Sequence, residues 1–188
     1  MKRLFASLAL TLTLAFPAVA VELGDDGLHK PDWLRNTFKD LREDLAEANG
    51  EGKRLMIIVE QRGCIYCTKM HEEVFPLPEI DALIRENYFV VQMNLFGDVE
   101  VTDFDGETLP EKDMAVKWGV VFTPTMIFLP EEVPEETTAS KAAVVMMPGA
   151  FEKGTTAALF TWVKDHGYNS GEHFQKYVAE RTKQKSSN

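Results

Sequence analysis

The chain has only two cysteines, Cys64 and Cys67, and two residues separate them. The apolar run Leu55 to Val59 predicts a buried strand, and the polar turn Glu60 to Gly63 then places Cys64 at the start of a helix. Unpaired backbone N–H groups and the positive end of the helix dipole favour a thiolate at that position. The spacing therefore predicts a dithiol/disulfide pair, in which Cys64 attacks and Cys67 resolves the mixed disulfide.

Other interpretations of the cysteine pair differ in what they require of its neighbours. Covalent haem attachment needs a histidine directly after the second cysteine, where this chain has Thr68. A zinc site formed by Cys64, Cys67 and His71 lacks a fourth ligand for a closed structural site, although it remains an alternative. A purely structural disulfide is a further alternative, but so short a loop contributes little stability. We expect neither a metal nor another cofactor, and we expect His71 to be a surface residue of the helix.

The first twenty residues have the pattern of a secretory signal. Lys2 and Arg3 precede an apolar run that ends before the small residues Ala18-Val19-Ala20. We therefore expect residues 1–20 to be cleaved and residues 21–188 to be exported as one domain. The apolar run is short for a membrane span, so we expect no membrane insertion of the mature chain.

The net charge restricts the partners that the chain can bind. The formal net charge is −10, and removal of the signal makes the chain still more acidic. Such a surface disfavours nucleic acid and anionic membranes. One cysteine pair is too few to hold together a disulfide-rich scaffold of this length. We expect a monomer with a hydrophobic core and a redox function.

Apolar periodicity and turn residues predict the order helix, strand, CxxC helix, strand, helix, strand, strand, helix. The predicted first helix begins at Lys30-Pro31 and buries a face at helical spacing, formed by Leu34, Phe38, Leu41 and Leu45. The CxxC helix is expected to continue from Thr68 to Val74. The last regular helix is predicted at Thr155 to Asp165, followed by a turn or two and a frayed tail. This order predicts a single α/β domain with a central mixed sheet flanked by helices.

Three features together resemble the thioredoxin superfamily: the GCIYC motif after a strand, Thr123-Pro124 further along the chain, and Gly149 near the closing helix. The resemblance covers roughly residues 30–165 and implies a thioredoxin-like fold. The predicted signal and the segment VVQMNLFGDVEVTDFDGE resemble more closely the periplasmic SoxW-like proteins of bacterial sulfur-oxidation systems.

The resemblance implies a role for each matching residue. Cys64 is the nucleophile, Cys67 is the resolving thiol, and Pro124 is a cis proline that faces the disulfide. Thr123 offers its backbone to an extended substrate segment. Where cytosolic thioredoxins have a buried acid that assists proton transfer, this chain has Ile58. Glu60 is a candidate substitute, because it faces the same side of the strand, and the alternative is a solvated glutamate in the turn.

These observations lead to a functional hypothesis. We expect a periplasmic thiol:disulfide oxidoreductase that reduces protein disulfides and receives electrons from a membrane-embedded thiol carrier. The dipeptide Ile65-Tyr66 between the cysteines differs from the Gly-Pro of thioredoxins, so the direction of electron flow remains open. The alternatives are a disulfide oxidase or isomerase, and a non-catalytic binding module that uses the Pro124 face.

Overall fold

A computed structural model of the protein describes residues 21–186. The predicted signal sequence, residues 1–20, and the last two residues of the predicted tail lie outside the described residues. The central sheet has five strands in the order β1-β3-β2-β6-β7, and a separate hairpin pairs β4 with β5. The strands are β1 Leu34–Arg35, β2 Arg54–Glu60, β3 Tyr88–Asn94, β4 Glu100–Thr102, β5 Thr108–Pro110, β6 Thr125–Phe128 and β7 Val145–Pro148.

The sheet is mixed, as the sequence predicts. Strand β3 runs parallel to both β1 and β2, whereas β6 runs antiparallel to β2 and β7 antiparallel to β6. The helices are α1 Leu41–Gly50, α2 Ile65–Lys69, α3 Pro78–Asn87, α4 Glu111–Lys117, α5 Ala139–Ala142, α6 Lys153–Lys164 and α7 Phe174–Ser186, with a π-helical turn at Met70–Val74 and a 3-10 turn at Gly167–Ser170.

Strand β2 is buried along its whole length and separates two hydrophobic clusters. Leu55, Ile57 and Val59 face the cluster that includes α1 and α4. Met56 and Ile58 face the cluster that includes the π-helical turn, α3 and α6. Because side chains alternate along a strand, a buried sheet between two helical layers needs this continuous apolar run. The predicted α/β architecture with a central mixed sheet is confirmed.

The predicted first helix is wrong in its N-terminal half. Leu34 and Arg35 instead form strand β1, which pairs with β3 at the edge of the sheet. Helix α1 begins only at Leu41, because the Asp40 side chain accepts hydrogen bonds from the first free backbone N–H groups. Phe38 was expected to face inward, but it is 95% exposed in the connection between β1 and α1. Leu34 therefore fits the helical spacing by coincidence.

The segment after the cysteines is also less regular than predicted. Helix α2 ends at Lys69, and the chain continues as a π-helical turn, in which the Phe75 N–H donates to the Met70 carbonyl at 2.8 Å. A π-helical turn admits one residue more than an α-helical turn, and hydrophobic periodicity does not reveal it. At the other end of the chain, α7 is longer than the turn or two expected there and continues to Ser186.

Within residues 21–186, the structure has no helix that combines the length and the apolar character required to cross a bilayer.

One buried carboxyl group lies in the first turns of α1. Asp44 is 3% exposed and accepts a hydrogen bond from the Thr37 hydroxyl at 3.3 Å. Burial, and after it the repulsion of neighbouring carboxylates, raises the pKa of Asp44 from 3.8 to about 6. The folded chain therefore binds more protons than the unfolded chain between about pH 4 and pH 6. Stability decreases as the pH rises through that window.

We expect Asp44→Asn to raise the free energy of unfolding at pH 7 by about 2 kcal/mol, because the neutral amide avoids burial of a charge. The gain should decline as the pH falls and vanish below about pH 4, where Asp44 is protonated in both states. Urea denaturation across this pH range measures the effect. The exposed Glu86→Gln on α3, whose charge is not among those that raise the pKa of Asp44, is the matched control, and an equal gain at every pH would contradict the argument.

Candidate active site

The ends of three strands meet at one edge of the sheet. Parallel strands β2 and β3 end there, with Glu60 opposite Asn94, and antiparallel β6 begins there, with Thr125 opposite Val59. Because of this register, the segment that follows β2 and the segment that precedes β6 are neighbours. The first carries the cysteines and the second carries Thr123-Pro124.

Cys64 and Cys67 form a disulfide with their Cα atoms 5.2 Å apart. Cys64 is the N-cap residue of α2, and its sulfur accepts a hydrogen bond from the Cys67 N–H at 3.0 Å. The sulfur of Cys64 thus contacts a free N–H group of the helix start, as the sequence predicts. Cys64 is 7% exposed and Cys67 is 1% exposed, so Cys64 is the more accessible of two largely buried residues.

Thr123 and Pro124 lie against the first cysteine. The Thr123 hydroxyl donates to Cys64 Sγ at 3.3 Å, and the Thr123 carbonyl oxygen lies 3.5 Å from the same sulfur. The Thr123-Pro124 peptide bond is cis. The Pro124 carbonyl accepts a hydrogen bond from the Gly149 N–H at 2.7 Å, and Gly149 has a φ of 94°, which favours glycine. The structure therefore brings together Cys64, Cys67, Thr123 and Pro124.

Exposed apolar side chains flank the disulfide on both sides. Ile65 and Tyr66 lie between the cysteines and are 74% and 57% exposed. Val121 and Phe122, directly before Thr123, are likewise exposed. Apolar side chains that are exposed and contiguous commonly mark a surface for a partner.

Glu60 is a buried residue, so the alternative of a solvated glutamate in the turn is wrong. It is the last residue of β2, and its side chain is fully buried on the same face of the sheet as Ile58. One carboxylate oxygen, Oε1, lies 2.8 Å from His71 Nε2, and the other, Oε2, accepts from Gln92 Nε2 at 2.7 Å. Register explains the position of Gln92, which lies opposite Ile58 on the neighbouring strand.

The prediction that His71 is a surface residue is also wrong. His71 is 1% exposed in the π-helical turn, and its ring stacks on His29 with centroids 4.5 Å apart. Its Nδ1 atom is one of the buried side-chain atoms without a hydrogen-bond partner in the described part of the chain. Burial lowers the pKa of His29, and the proximity of His71 lowers it further. Glu60, His71 and His29 form a cluster of titratable groups, which we call the buried polar cluster.

The structure argues against one possible metal site and reveals another. The zinc site considered from the sequence requires two thiolates, whereas the structure joins Cys64 and Cys67 in a disulfide. In the buried polar cluster, one potential ligand atom from each of His29, Glu60 and His71 lies within 4.8 Å of the other two. Within residues 21–186, this is the group of three side chains whose potential ligand atoms lie close enough together to consider a metal ion.

Sequence analysis missed the participation of His29, His71 and Gln92. One signal pointed to His71: it lies four residues after Cys67 and three before Val74, at the spacing of one helix face. Both of those residues are buried. No comparable local pattern identifies His29 or Gln92, because their contacts join segments that are distant in sequence.

Comparisons with known proteins agree with this geometry. A family model described as a thioredoxin-like domain matches residues 41–135, which is half of the chain. The protein therefore belongs to the thioredoxin-like domain family. It contains the cysteine pair typical of redox-active thioredoxin folds, and this combination supports thiol:disulfide oxidoreductase chemistry in general.

Solved structures show the same fold at low sequence identity. A thioredoxin-fold protein from Helicobacter pylori is 15% identical with a TM-score of 0.57, and the match covers 70% of this chain and 86% of that chain. A thioredoxin from Thermus thermophilus is 22% identical with a TM-score of 0.53, and the match covers 71% of this chain and 90% of that chain. A search of curated proteins found no significant match.

Proposed function

We propose that the protein is a periplasmic thiol:disulfide oxidoreductase that reduces disulfides in client proteins. The observation that carries the proposal is the environment of Cys64 Sγ. This sulfur caps a helix start, accepts hydrogen bonds from a backbone N–H and from the Thr123 hydroxyl, and belongs to the more exposed cysteine of the pair. These contacts stabilise negative charge on sulfur, which a nucleophilic thiolate requires.

The proposed reaction has two steps. The Cys64 thiolate attacks one sulfur of a client disulfide, so a mixed disulfide forms and the other client sulfur leaves as a thiolate. Cys67 then attacks Cys64 Sγ, which forms the Cys64–Cys67 disulfide and releases the second client thiolate. The client gains two electrons and, after protonation, two thiols. Glu60 is our proposed proton relay for the resolving step.

The surface around Cys64 supports a protein client. An extended client segment would pair with the backbone of Thr123, next to Pro124, and its side chains would contact the exposed apolar residues Ile65, Tyr66 and Phe122. Because backbone pairing and apolar contact tolerate many sequences, the proposal implies clients of varied sequence. An unfolded or loosely folded client offers such a segment more readily than a compact one.

The character of the hydrogen-bond donors favours a reductase. The two hydrogen bonds that Cys64 Sγ accepts come from neutral groups, an amide and a hydroxyl. Neutral donors stabilise a thiolate less than a cation does. A dithiol pair becomes a strong oxidant when its reduced form is stabilised, so weaker stabilisation of the thiolate favours a reductase. A reductase in an oxidising compartment also needs electrons, and we propose a membrane-embedded thiol carrier as their source.

We further propose that residues 1–20 are the cleaved export signal, that residues 21–188 are the mature domain, and that the protein acts in a SoxW-like role in sulfur oxidation.

We expect N-terminal sequencing of the protein from a periplasmic fraction to start at Val21, because the small residues before it suit signal cleavage. Retention of Met1 in the membrane fraction would contradict the export proposal. Replacing Ala18 and Ala20 with leucine should block cleavage and is the control.

We expect Cys67→Ser to accumulate covalent adducts with client proteins, because the mixed disulfide on Cys64 can no longer be resolved. Cys64→Ser should form almost none and should lose insulin reduction. Non-reducing gels of periplasmic extracts measure the adducts, and mass spectrometry of the captured clients tests the link to sulfur oxidation. The double serine variant is the control for non-covalent binding. Clients retained by that variant would instead favour the non-catalytic binding module.

We expect a reduction potential closer to the value of about −270 mV of thioredoxin than to the value of about −120 mV of DsbA, because the two donors to Cys64 Sγ among the described residues, an amide and a hydroxyl, are neutral. Equilibration with glutathione or dithiothreitol buffers, followed by alkylation of free thiols, measures the potential. Tyr66→Lys adds a cation between the cysteines and should raise the potential, so it serves as a directional control. A wild-type value near −120 mV would reassign the protein as an oxidase or isomerase.

A further inference from the structure

One member of the buried polar cluster, His71, lies on the same helical segment as the resolving cysteine. Cys67 and His71 are four residues apart, in α2 and in the π-helical turn that follows it, and both are 1% exposed. Side chains on a helix tilt towards its N-terminus, so the His71 side chain lies over the turn that contains Cys67. Of its two ring nitrogens, Nδ1 is the one nearer the backbone, and Nδ1 is the atom without a partner.

The hydrogen bonds of the cluster determine which nitrogen of His71 is free to accept a proton. Lys30 Nζ donates to Gln92 Oε1 at 2.7 Å, which assigns the other side-chain atom of Gln92 as the amide nitrogen. That nitrogen donates to the His29 carbonyl at 2.9 Å and to Glu60 Oε2 at 2.7 Å. Glu60 Oε2 therefore acts as an acceptor, and we assign the proton in the contact between Oε1 and His71 Nε2 to the imidazole. The lone pair is then on Nδ1.

We propose that His71 Nδ1 is the base that takes the proton from Cys67 when Cys67 attacks the mixed disulfide, and that Glu60 orients the ring and balances its charge. This inference rests on the proposed function, and it assigns to His71 the direct role that Glu60 alone would otherwise have. In the oxidised structure Cys67 Sγ is bonded to Cys64 and has no proton to give. The unpartnered Nδ1 fits this oxidised state, and in our proposal the Cys67 thiol becomes its partner on reduction.

The proton and electron balance of the step is complete. The Cys67 S–H bond breaks and its proton moves to His71 Nδ1, while the sulfur forms a bond with Cys64 Sγ. The bond between Cys64 Sγ and the client sulfur breaks, and the client sulfur leaves with the electron pair as a thiolate. His71 becomes an imidazolium beside the Glu60 carboxylate. When an external dithiol later reduces the disulfide, the same proton returns to the Cys67 thiolate.

The geometry of the two histidine rings favours a proton site over a metal site. A metal ion lies in the plane of each imidazole that binds it. The rings of His29 and His71 are stacked, with an angle of 10° between their planes and 4.5 Å between their centroids. Because the two ring planes are nearly parallel and one lies above the other, no single position lies in both planes. One ion therefore cannot align with the lone pairs of both rings. Joint ligation would therefore require one ring to turn out of the stack.

The groups around His71 are consistent with this assignment. Trp33 and Phe75 contact its ring as apolar neighbours. The charged and titratable groups near it are Glu60, His29, Glu72 on its own turn, and Lys30 through Gln92. Burial, and after it the proximity of His71, lowers the pKa of His29, which disfavours a second positive charge in the cluster. His71, Trp33 and Phe75 also line a cleft of about 460 Å³, whose other lining residues include the charged Lys30, Asp32, Asp81 and Arg85.

The reaction of the reduced protein with 5,5′-dithiobis(2-nitrobenzoic acid) separates the two steps. The first equivalent of coloured thiolate is released when Cys64 forms the mixed disulfide, and the second when Cys67 resolves it. Stopped-flow absorbance therefore reports both rates in one experiment. Loss of the first phase would contradict the proposed role of Cys64, whereas a change confined to the second phase concerns the proton acceptor alone.

We expect His71→Gln to slow the second phase by about 100-fold or more at pH 7 with the first phase unchanged, in line with the usual contribution of a general base. Glutamine retains a donor for Glu60 but has no counterpart of Nδ1. Glu60→Gln should slow the same phase to a smaller extent. Trp33→Phe keeps an aromatic ring against His71 and is the control for packing, so both of its phases should match the wild type.

The pH dependence distinguishes a base from a structural residue. In His71→Gln the second phase should rise about tenfold per pH unit up to the ordinary thiol value of about 8.5, because only thiolate formation remains. The wild-type second phase should depend less steeply on pH over the same range. If His71→Gln does not fold, Glu60→Gln and the wild-type pH profile provide the test. A second phase with wild-type rate and slope in Glu60→Gln, or in a folded His71→Gln, would overturn the proposal.

Discussion

The burial of one carboxylate, that of Glu60 at the end of the central strand, constrains the surrounding structure. An ionised group out of contact with water costs several kcal/mol unless hydrogen bonds compensate it. The partners come from separate parts of the chain: His71 from the π-helical turn, Gln92 from β3, and, through Gln92, the N-terminal segment at His29 and Lys30. The segment before the sheet is therefore held against the face that carries the helix of the cysteines.

The two sulfurs consequently have different surroundings. Cys64 is directed towards the cis Thr123-Pro124 peptide and exposed apolar side chains, where a protein client can reach it. Cys67 lies one turn deeper, on the helical segment that carries His71 into the buried polar cluster. Because register places the ends of β2 and β3 and the start of β6 at one edge, a single sheet produces both environments. Nucleophile and resolving thiol are thus separated by depth in the fold.

Features determined by local sequence patterns could be predicted, and those determined by distant partners could not. The buried strand, the cysteine at a helix start and the position of Thr123-Pro124 follow from residue types and spacing over a few positions. The N-terminal half of the first helix was wrong because Leu34 pairs with Val90, which no helical period can reveal. His71 was assigned to the surface, and strand alternation left Glu60 between a role on the inner face and a solvated turn. The burial of both depends on each other and on Gln92, which is distant in sequence.

The π-helical turn at Met70–Val74 has a consequence for the comparison of related chains. Such a turn corresponds to a single inserted residue in an otherwise α-helical segment. Removal of one residue between Cys67 and His71 would rotate the histidine by about 100° around the helix axis, away from Glu60. Relatives with the same two cysteines and a histidine nearby would then lack the cluster if this segment were one residue shorter. A comparison of related chains should therefore consider the length of this segment as well as the presence of a histidine, because both are needed for the buried polar cluster.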